Sequence, residues 1–216
     1  MKKIYGALLS RTGRTNWVAH ECGLEFEQVH VPTGVPAEEK PADFMAINPA
    51  GTMPVYQDGD FVLKESWAID LYLARKYQPN LMGKDLEEEG KVYQWTIFAV
   101  SDLEHAARTC VNHSGFDERR PFNEVEFAKA KEQFLNGLAI VNNALEGREY
   151  LVGNTFTLAD LHIACLVTFP VVSSFPRDDY KNITPWLQKC TGRPAFAKSL
   201  PPEFLAKLQK GEAGGK

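Results

Sequence analysis

Residues 54–69 read Pro54-Val55-Tyr56-Gln57-Asp58-Gly59-Asp60-Phe61-Val62-Leu63-Lys64-Glu65-Ser66-Trp67-Ala68-Ile69, and this stretch decides the fold of the first third of the chain. Residues 55–57 and 61–63 flank Asp58-Gly59. An Asp-Gly pair suits a tight hairpin turn, where the backbone needs positive φ. Ser66 then precedes the periodic apolar residues Ile69, Leu71, Tyr72 and Leu73. A serine just ahead of such a run is a helix N-cap signal, so the spacing predicts two antiparallel strands followed by a helix that ends near Tyr77, before Pro79.

Working upstream, residues 4–7 read as a short strand. Residues 14–22 read as a helix carrying Trp17, Val18 and Ala19, stopped by Gly23. Residues 26–31, with aromatic and β-branched content, read as a second strand. A looser segment follows over 32–41, then a helical turn over 42–47. The order is strand, helix, strand, helix, strand, strand, helix. Parallel neighbours need crossover helices, whereas antiparallel ones can use the hairpin. The simplest arrangement over residues 1–78 is a mixed four-stranded sheet with helices packed on it.

Downstream, Pro79, Asn80 and Gly83 mark a linker over 79–86, after which strand signals vanish. Val92, Trp95, Ala99, Leu103, Ala106 and Cys110 recur at three- and four-residue steps, giving one face of a long helix, with Glu87, Glu88 and Glu89 at its dipole-favoured start. Phe134, Leu138, Val141 and Leu145 give a second face, after a breaker-rich polar turn over 112–121. Thr157 and Asp160 have capping-box spacing, and Phe156 and Leu161 that of a hydrophobic staple. The helix they open is apolar nearly all round and is expected at the centre of an all-helical domain over 87–216. Pro185-Trp186 opens another helix, and the glycine-rich tail from Gly211 is expected to fray.

With 44% hydrophobic and 24% charged residues in 216, the chain can bury a core. A net charge of −4 with both signs interspersed gives no reason to expect nucleic acid or a membrane as partner. The longest apolar run, residues 163–169, is too short to span a bilayer, and the short apolar stretch behind Met1-Lys2-Lys3 is soon broken by Ser10-Arg11. A cytoplasmic location follows by default. The four cysteines, Cys22, Cys110, Cys165 and Cys190, are widely spaced and contain no C-x-x-C pair. Neither a disulfide framework nor a metal site is expected.

The run from Asn48 to Val55, Asp58-Gly59 and Glu65-Ser66-Trp67-Ala68-Ile69 together resemble the signature of the glutathione transferase superfamily. Tyr150-Leu151-Val152-Gly153 with Phe156-Thr157-Leu158-Ala159-Asp160-Leu161 resembles its second-domain signature. The resemblance covers nearly the whole chain. Ile4-Tyr5-Gly6 followed by Ser10, and Leu24-Glu25-Phe26-Glu27, are most similar to the serine-type enzymes, nearest the phi class and its bacterial relatives. It implies a thioredoxin-like N-terminal domain that binds glutathione, an all-helical C-terminal domain that supplies the second-substrate pocket, and a homodimer. The implied activity is detoxifying conjugation of glutathione to electrophilic, largely apolar molecules. Glutathione is then a co-substrate, and no other cofactor is needed. A glutathione-dependent peroxidase using the same thiolate, or a non-catalytic glutathione-binding or scaffold protein, stays open as an alternative.

The resemblance marks Ser10 as the residue that stabilises the thiolate, with Arg11 and Arg14 as sources of positive field. It marks Lys40, Thr52, Met53, Pro54, Glu65 and Ser66 as the glutathione contacts. Four of these calls have an ordinary alternative. Met53-Pro54 is either a cis turn exposing backbone for strand-like pairing or a trans proline at a strand start. Ser66 caps its helix, or also holds a carboxylate. Lys40 reaches the ligand's glycine carboxylate or is a solvated surface lysine. Ser10 faces the sulfur or is a turn residue, with Thr12 as another candidate cap. Apolar residues near Phe98 to Asp102, and Ala7 to Leu9, are pocket or core.

Overall fold

The computed structural model describes residues 1–115, 120–169 and 171–209, and the expected frayed tail lies outside them. It divides into two compact units: Met1–Met82 with Pro194–Pro201, and Gly83–Arg193 with the segment from Pro202.

In the first unit, β1 (Lys2–Tyr5), α1 (Gly13–Glu21), β2 (Glu27–Val29), α2 (Ala42–Ile47), β3 (Val55–Asp58), β4 (Phe61–Lys64) and α3 (Ser66–Tyr77) follow the expected order. The sheet order is β2-β1-β3-β4, with β1 and β2 parallel and the other pairs antiparallel, which is the mixed four-stranded sheet read from the sequence. Side chains alternate across a strand, and here both faces are covered. Tyr5 and Val55 pack with Phe44 of α2 and Val31 on one face. Their strand neighbours Ile4 and Tyr56, also fully buried, point to the other face, where the Tyr56 ring meets Tyr72 of α3 at 6.1 Å. Thr15 in α1 donates to Asp70 in α3 at 2.7 Å, and both are fully buried, so the two helices are pinned by a polar bond as well as by packing.

The short helix α9 (Pro194–Lys198) comes from far downstream and still belongs to this unit. It sets Phe196 edge-on against Trp17 of α1, with ring centroids 4.7 Å apart. Nothing in the sequence pattern announces that return.

The second unit is helical. It comprises α4 (Leu86–Phe98), α5 (His105–His113), α6 (Glu124–Ala144), α7 (Leu158–Val167), α8 (Ile183–Thr191) and α10 (Pro202–Gln209). The long helix expected from the residue 92–110 periodicity is interrupted by a π-helical turn, Ala99–Glu104, which joins α4 to α5. One extra residue in the turn rotates the two faces relative to each other. On the far side, Gly137 of α6 lets Leu103 approach: a Cβ there would stand 2.5 Å from Leu103 Cδ2. α7 is buried along nearly its whole length, with α4 and α8 packed against it.

Among the described residues, no helix is long and apolar enough to cross a membrane, and no group of three His, Cys, Asp or Glu is arranged to hold a metal ion.

Candidate functional site

The register of the sheet gathers the expected site residues. Tyr5 pairs with Val55, and Val55 with Lys64, so three strands reach the same edge of the sheet together. The segments just beyond that edge are Gly6 to Ser10, Thr52 to Pro54, and Glu65-Ser66. Residues far apart in sequence therefore share one end of the first unit.

The exit from β1 is built around small residues. Gly6 takes φ +147°, and a Cβ on it would stand 2.0 Å from Thr12 Oγ1, so only glycine admits the threonine there. Gly13 similarly lies under the Leu8 carbonyl, 2.5 Å from where its Cβ would be. Between them the chain makes a broken helical turn, Leu8–Thr12, with Ser10 in an extended conformation at the break. Ser10 is half-buried. Its hydroxyl donates to the Ala7 carbonyl at 2.6 Å, and the Thr12 N–H donates to Ser10 Oγ at 3.2 Å. Thr12 Oγ1 lies 3.0 Å from the same oxygen. Arg11 is half-buried beside it.

The start of α3 departs from the expected cap. Glu65, not Ser66, occupies the N-cap position, and no side chain caps the helix. Glu65 is exposed with φ +67°, a left-handed conformation that costs a non-glycine residue on the order of 1–3 kcal/mol. Ser66 is already helical and buried. Its oxygen accepts two bonds from the buried Arg14 guanidinium, from Nε at 3.2 Å and Nη2 at 3.0 Å. The guanidinium stacks on the Trp67 ring, 3.8 Å from its centroid. The physical reason for the departure is that Ser66 already lies inside the helix, with its hydroxyl engaged as acceptor of the Arg14 guanidinium. Arg14, expected as a source of positive field, is held at the helix start.

The third segment is the turn before β3. Gly51, at φ +65°, closes it by donating to the Asn48 carbonyl at 2.8 Å, and Asn48 Nδ2 donates to the Thr52 carbonyl at 2.5 Å. Lys40 is half-buried, and its Nζ donates to the Gly51 carbonyl at 2.8 Å, so it lies on this turn rather than free in solvent. The Met53-Pro54 bond is cis. The Met53 side chain packs on the Tyr5, Val31, Phe44 and Val55 cluster while its backbone precedes the first ladder pair of β3. Thr52 is exposed.

Two of the protein's own thiols are poor nucleophiles. Burial pushes the Cys22 thiol up to about 12 and the Cys110 thiol to about 11. Tyr5, within β1, is buried and donates to Gln57 Oε1 at 2.8 Å; burial raises its hydroxyl too. Sequence reasoning missed the pairing of Arg14 with Ser66, because nothing local connects residues 52 positions apart. From the sequence, Thr12 reads only as a cap.

Residues 10–76 match the family model of the glutathione S-transferase N-terminal domain, and residues 104–194 that of the C-terminal domain. Glutathione S-transferase 3 of Zea mays is 34% identical over 92% of this chain and 92% of its own. The solved structure of glutathione S-transferase I from maize in complex with an atrazine glutathione conjugate superposes with a TM-score of 0.80 at 28% identity, covering 97% of this chain and 98% of that one. Elongation factor 1-gamma of Danio rerio is 33% identical over 73% of this chain but only 35% of its own length. A relative with a different name on the same domains means that fold alone does not carry the activity; the site residues must.

Proposed function

The chain belongs to the glutathione S-transferase family, and from that premise we propose that it joins the thiolate of glutathione to electrophilic, largely apolar small molecules, a detoxifying conjugation. The observation that carries the reading is the in-register alignment of Tyr5, Val55 and Lys64, beyond which lie a hydroxyl, a backbone edge and an uncapped helix start.

Glutathione is an extended peptide with a carboxylate at each end, an amine at one, and a thiol in the middle. The γ-glutamyl carboxylate meets the first N–H groups of α3 and the Ser66 hydroxyl, with the Arg14 charge behind them. The Glu65 carboxylate accepts from the ammonium group. The cysteinyl backbone pairs with Met53 in the manner of an added strand, beside Thr52 and Pro54. Lys40 directs the ammonium donors left over from Gly51 to the glycine carboxylate.

The thiol is thereby delivered to Ser10. A free thiol with a pKa near 8.5 is only about 3% ionised at neutral pH, and lowering it by about two units takes roughly 2.7 kcal/mol. The Ser10 hydroxyl supplies much of that by turning from the Ala7 carbonyl to donate to sulfur, with Arg11 adding field. The thiol proton leaves to solvent. The sulfur electron pair forms the new C–S bond, and the leaving group departs with its own pair. The scheme needs no metal or nucleotide.

We further assign a homodimer in the cytoplasm. Leu86, Tyr93, Ile97 and Val100 are all exposed and fall on one face of α4 and the turn that follows it. Such an apolar stripe is suited to a second copy of the chain. Ile97→Glu is expected to convert a dimer to a monomer by light scattering; a wild-type chain that is monomeric at micromolar concentration sinks the assignment.

The decisive test of the chemistry is the ultraviolet thiolate absorbance of bound glutathione against pH. Ser10→Ala is expected to raise the bound-thiol pKa by between about one and two units and to lower kcat/KM by roughly 10- to 25-fold at neutral pH, following the lost thiolate fraction. Glutathione binding with no lowered pKa in the wild type overturns the transferase reading and leaves a carrier.

A further inference from the structure

We propose that Thr12 is the positioning residue that sets the direction and strength of the Ser10 hydroxyl, so that the thiolate is stabilised by a two-hydroxyl relay rather than by one serine. The proposal rests on the reading of Ser10 given above.

A serine oxygen carries one proton and two lone pairs. The Ser10 hydroxyl donates to the Ala7 carbonyl at 2.6 Å. That contact must break before Ser10 can donate to sulfur, and something must then hold the oxygen in place. Thr12 offers it a backbone N–H at 3.2 Å, and a hydroxyl 3.0 Å away that donates once the Ser10 proton is committed elsewhere. Because the Ser10 proton is directed elsewhere in both states, the Thr12 hydroxyl is the donor of that contact. Donation into the Ser10 oxygen from two sides makes its own O–H a stronger donor, since hydrogen bonds in series polarise one another. The direction of charge flow is the one a thiolate needs.

The arrangement is held from behind. Thr12 is fully buried, so water does not compete for its hydroxyl. Gly6 leaves the space in which the Thr12 oxygen sits, since a Cβ at residue 6 would lie 2.0 Å from it. The Gly6 carbonyl accepts from Gln28 Nε2 at 2.8 Å, and Gln28 Oε1 accepts from Asn16 Nδ2 of α1 at 2.7 Å. The relay thus has a fixed floor that ties β1, β2 and α1 together. A threonine that served only to fill space could be replaced by its isostere valine without chemical consequence.

The test is the thiolate absorbance of bound glutathione against pH in wild type, Ser10→Ala, Thr12→Val and Thr12→Ser, with the thermal midpoint of each variant measured alongside. Thr12→Val keeps the shape and the backbone donor and removes only the hydroxyl. It is expected to raise the bound-thiol pKa by about half a unit and lower kcat/KM about threefold below neutral pH, with the KM for glutathione unchanged. Thr12→Ser is expected to restore both. If Ser10→Ala raises the pKa and Thr12→Val leaves it at the wild-type value, the relay is overturned while Ser10 stands. If Thr12→Val raises the pKa but Thr12→Ser fails to restore it, the residue is packing alone and the relay is again overturned. If Ser10→Ala leaves the pKa untouched, the reading of Ser10 itself fails and the relay with it.

Discussion

Two helices in this protein begin in opposite ways. At α7 the start is closed. The Thr157 side chain accepts from the Asp160 N–H, and Asp160 returns the bond to the Thr157 N–H at 3.0 Å. The same carboxylate also accepts from the Thr157 hydroxyl, the Leu151 N–H at 2.8 Å and Trp186 Nε1 at 2.9 Å. Burial pushes the Asp160 carboxyl above the ordinary carboxylate range, and the four donors pull it back. At α3 the start is open. No side chain caps it, Glu65 is held at positive φ, and the one buried hydroxyl present accepts from a cation instead of closing the turn. Both starts bury polar groups, so burial does not separate them. What separates them is whether a side chain closes the start. The closed start serves folding, whereas the open one, backed by a guanidinium, is the one to which the proposed reading brings the glutathione carboxylate.

The contrast can be broken from either side. The largest effect is expected at the closed start: Asp160→Ala strands the buried donors of Thr157, Leu151 and Trp186 and should cost about 4 kcal/mol of stability. Chemical denaturation of the purified variant measures it, and a loss below about 1 kcal/mol would mean that water serves those donors well. A smaller and different effect is expected at the open start. Ser66→Ala should weaken glutathione about tenfold, so that a concentration a hundred times the wild-type Kd, worth about 2.7 kcal/mol of protection in the wild type, yields about 1.4 in the variant. Equal protection of the two proteins would remove Ser66 from the binding site. The smallest effect returns to α7: Thr157→Ala should cost about 1 kcal/mol and leave the KM for glutathione where it is. A changed KM there would mean that the two starts are not independent.

The closed start could be read from the sequence because its signal is local: Thr157 and Asp160 lie three residues apart. The hairpin at Asp58-Gly59 and the alternating order of strands and helices were legible for the same reason. The open start was misread because its determinants are not local. Ser66 looks like a cap until Arg14, far upstream, is brought to its oxygen, and no periodicity foretells that Glu65 takes a left-handed backbone. Lys40 posed the same difficulty: its link to the Gly51 carbonyl depends on the path of the loop over 32–41, which carries no strong pattern. The π-helical turn at Ala99–Glu104 escaped notice because it shifts an apolar face by one residue without erasing it.

The return of α9 to the first unit has a consequence for how the protein is made. Trp17, one of the largest fully buried side chains, receives Phe196 only after residues 83–193 of the second unit have been synthesised. Domains that fold as contiguous blocks can complete themselves while the ribosome is still adding later residues. The first unit here gains α9 only later, and a gene cut at the linker would yield a fragment lacking that part of its core.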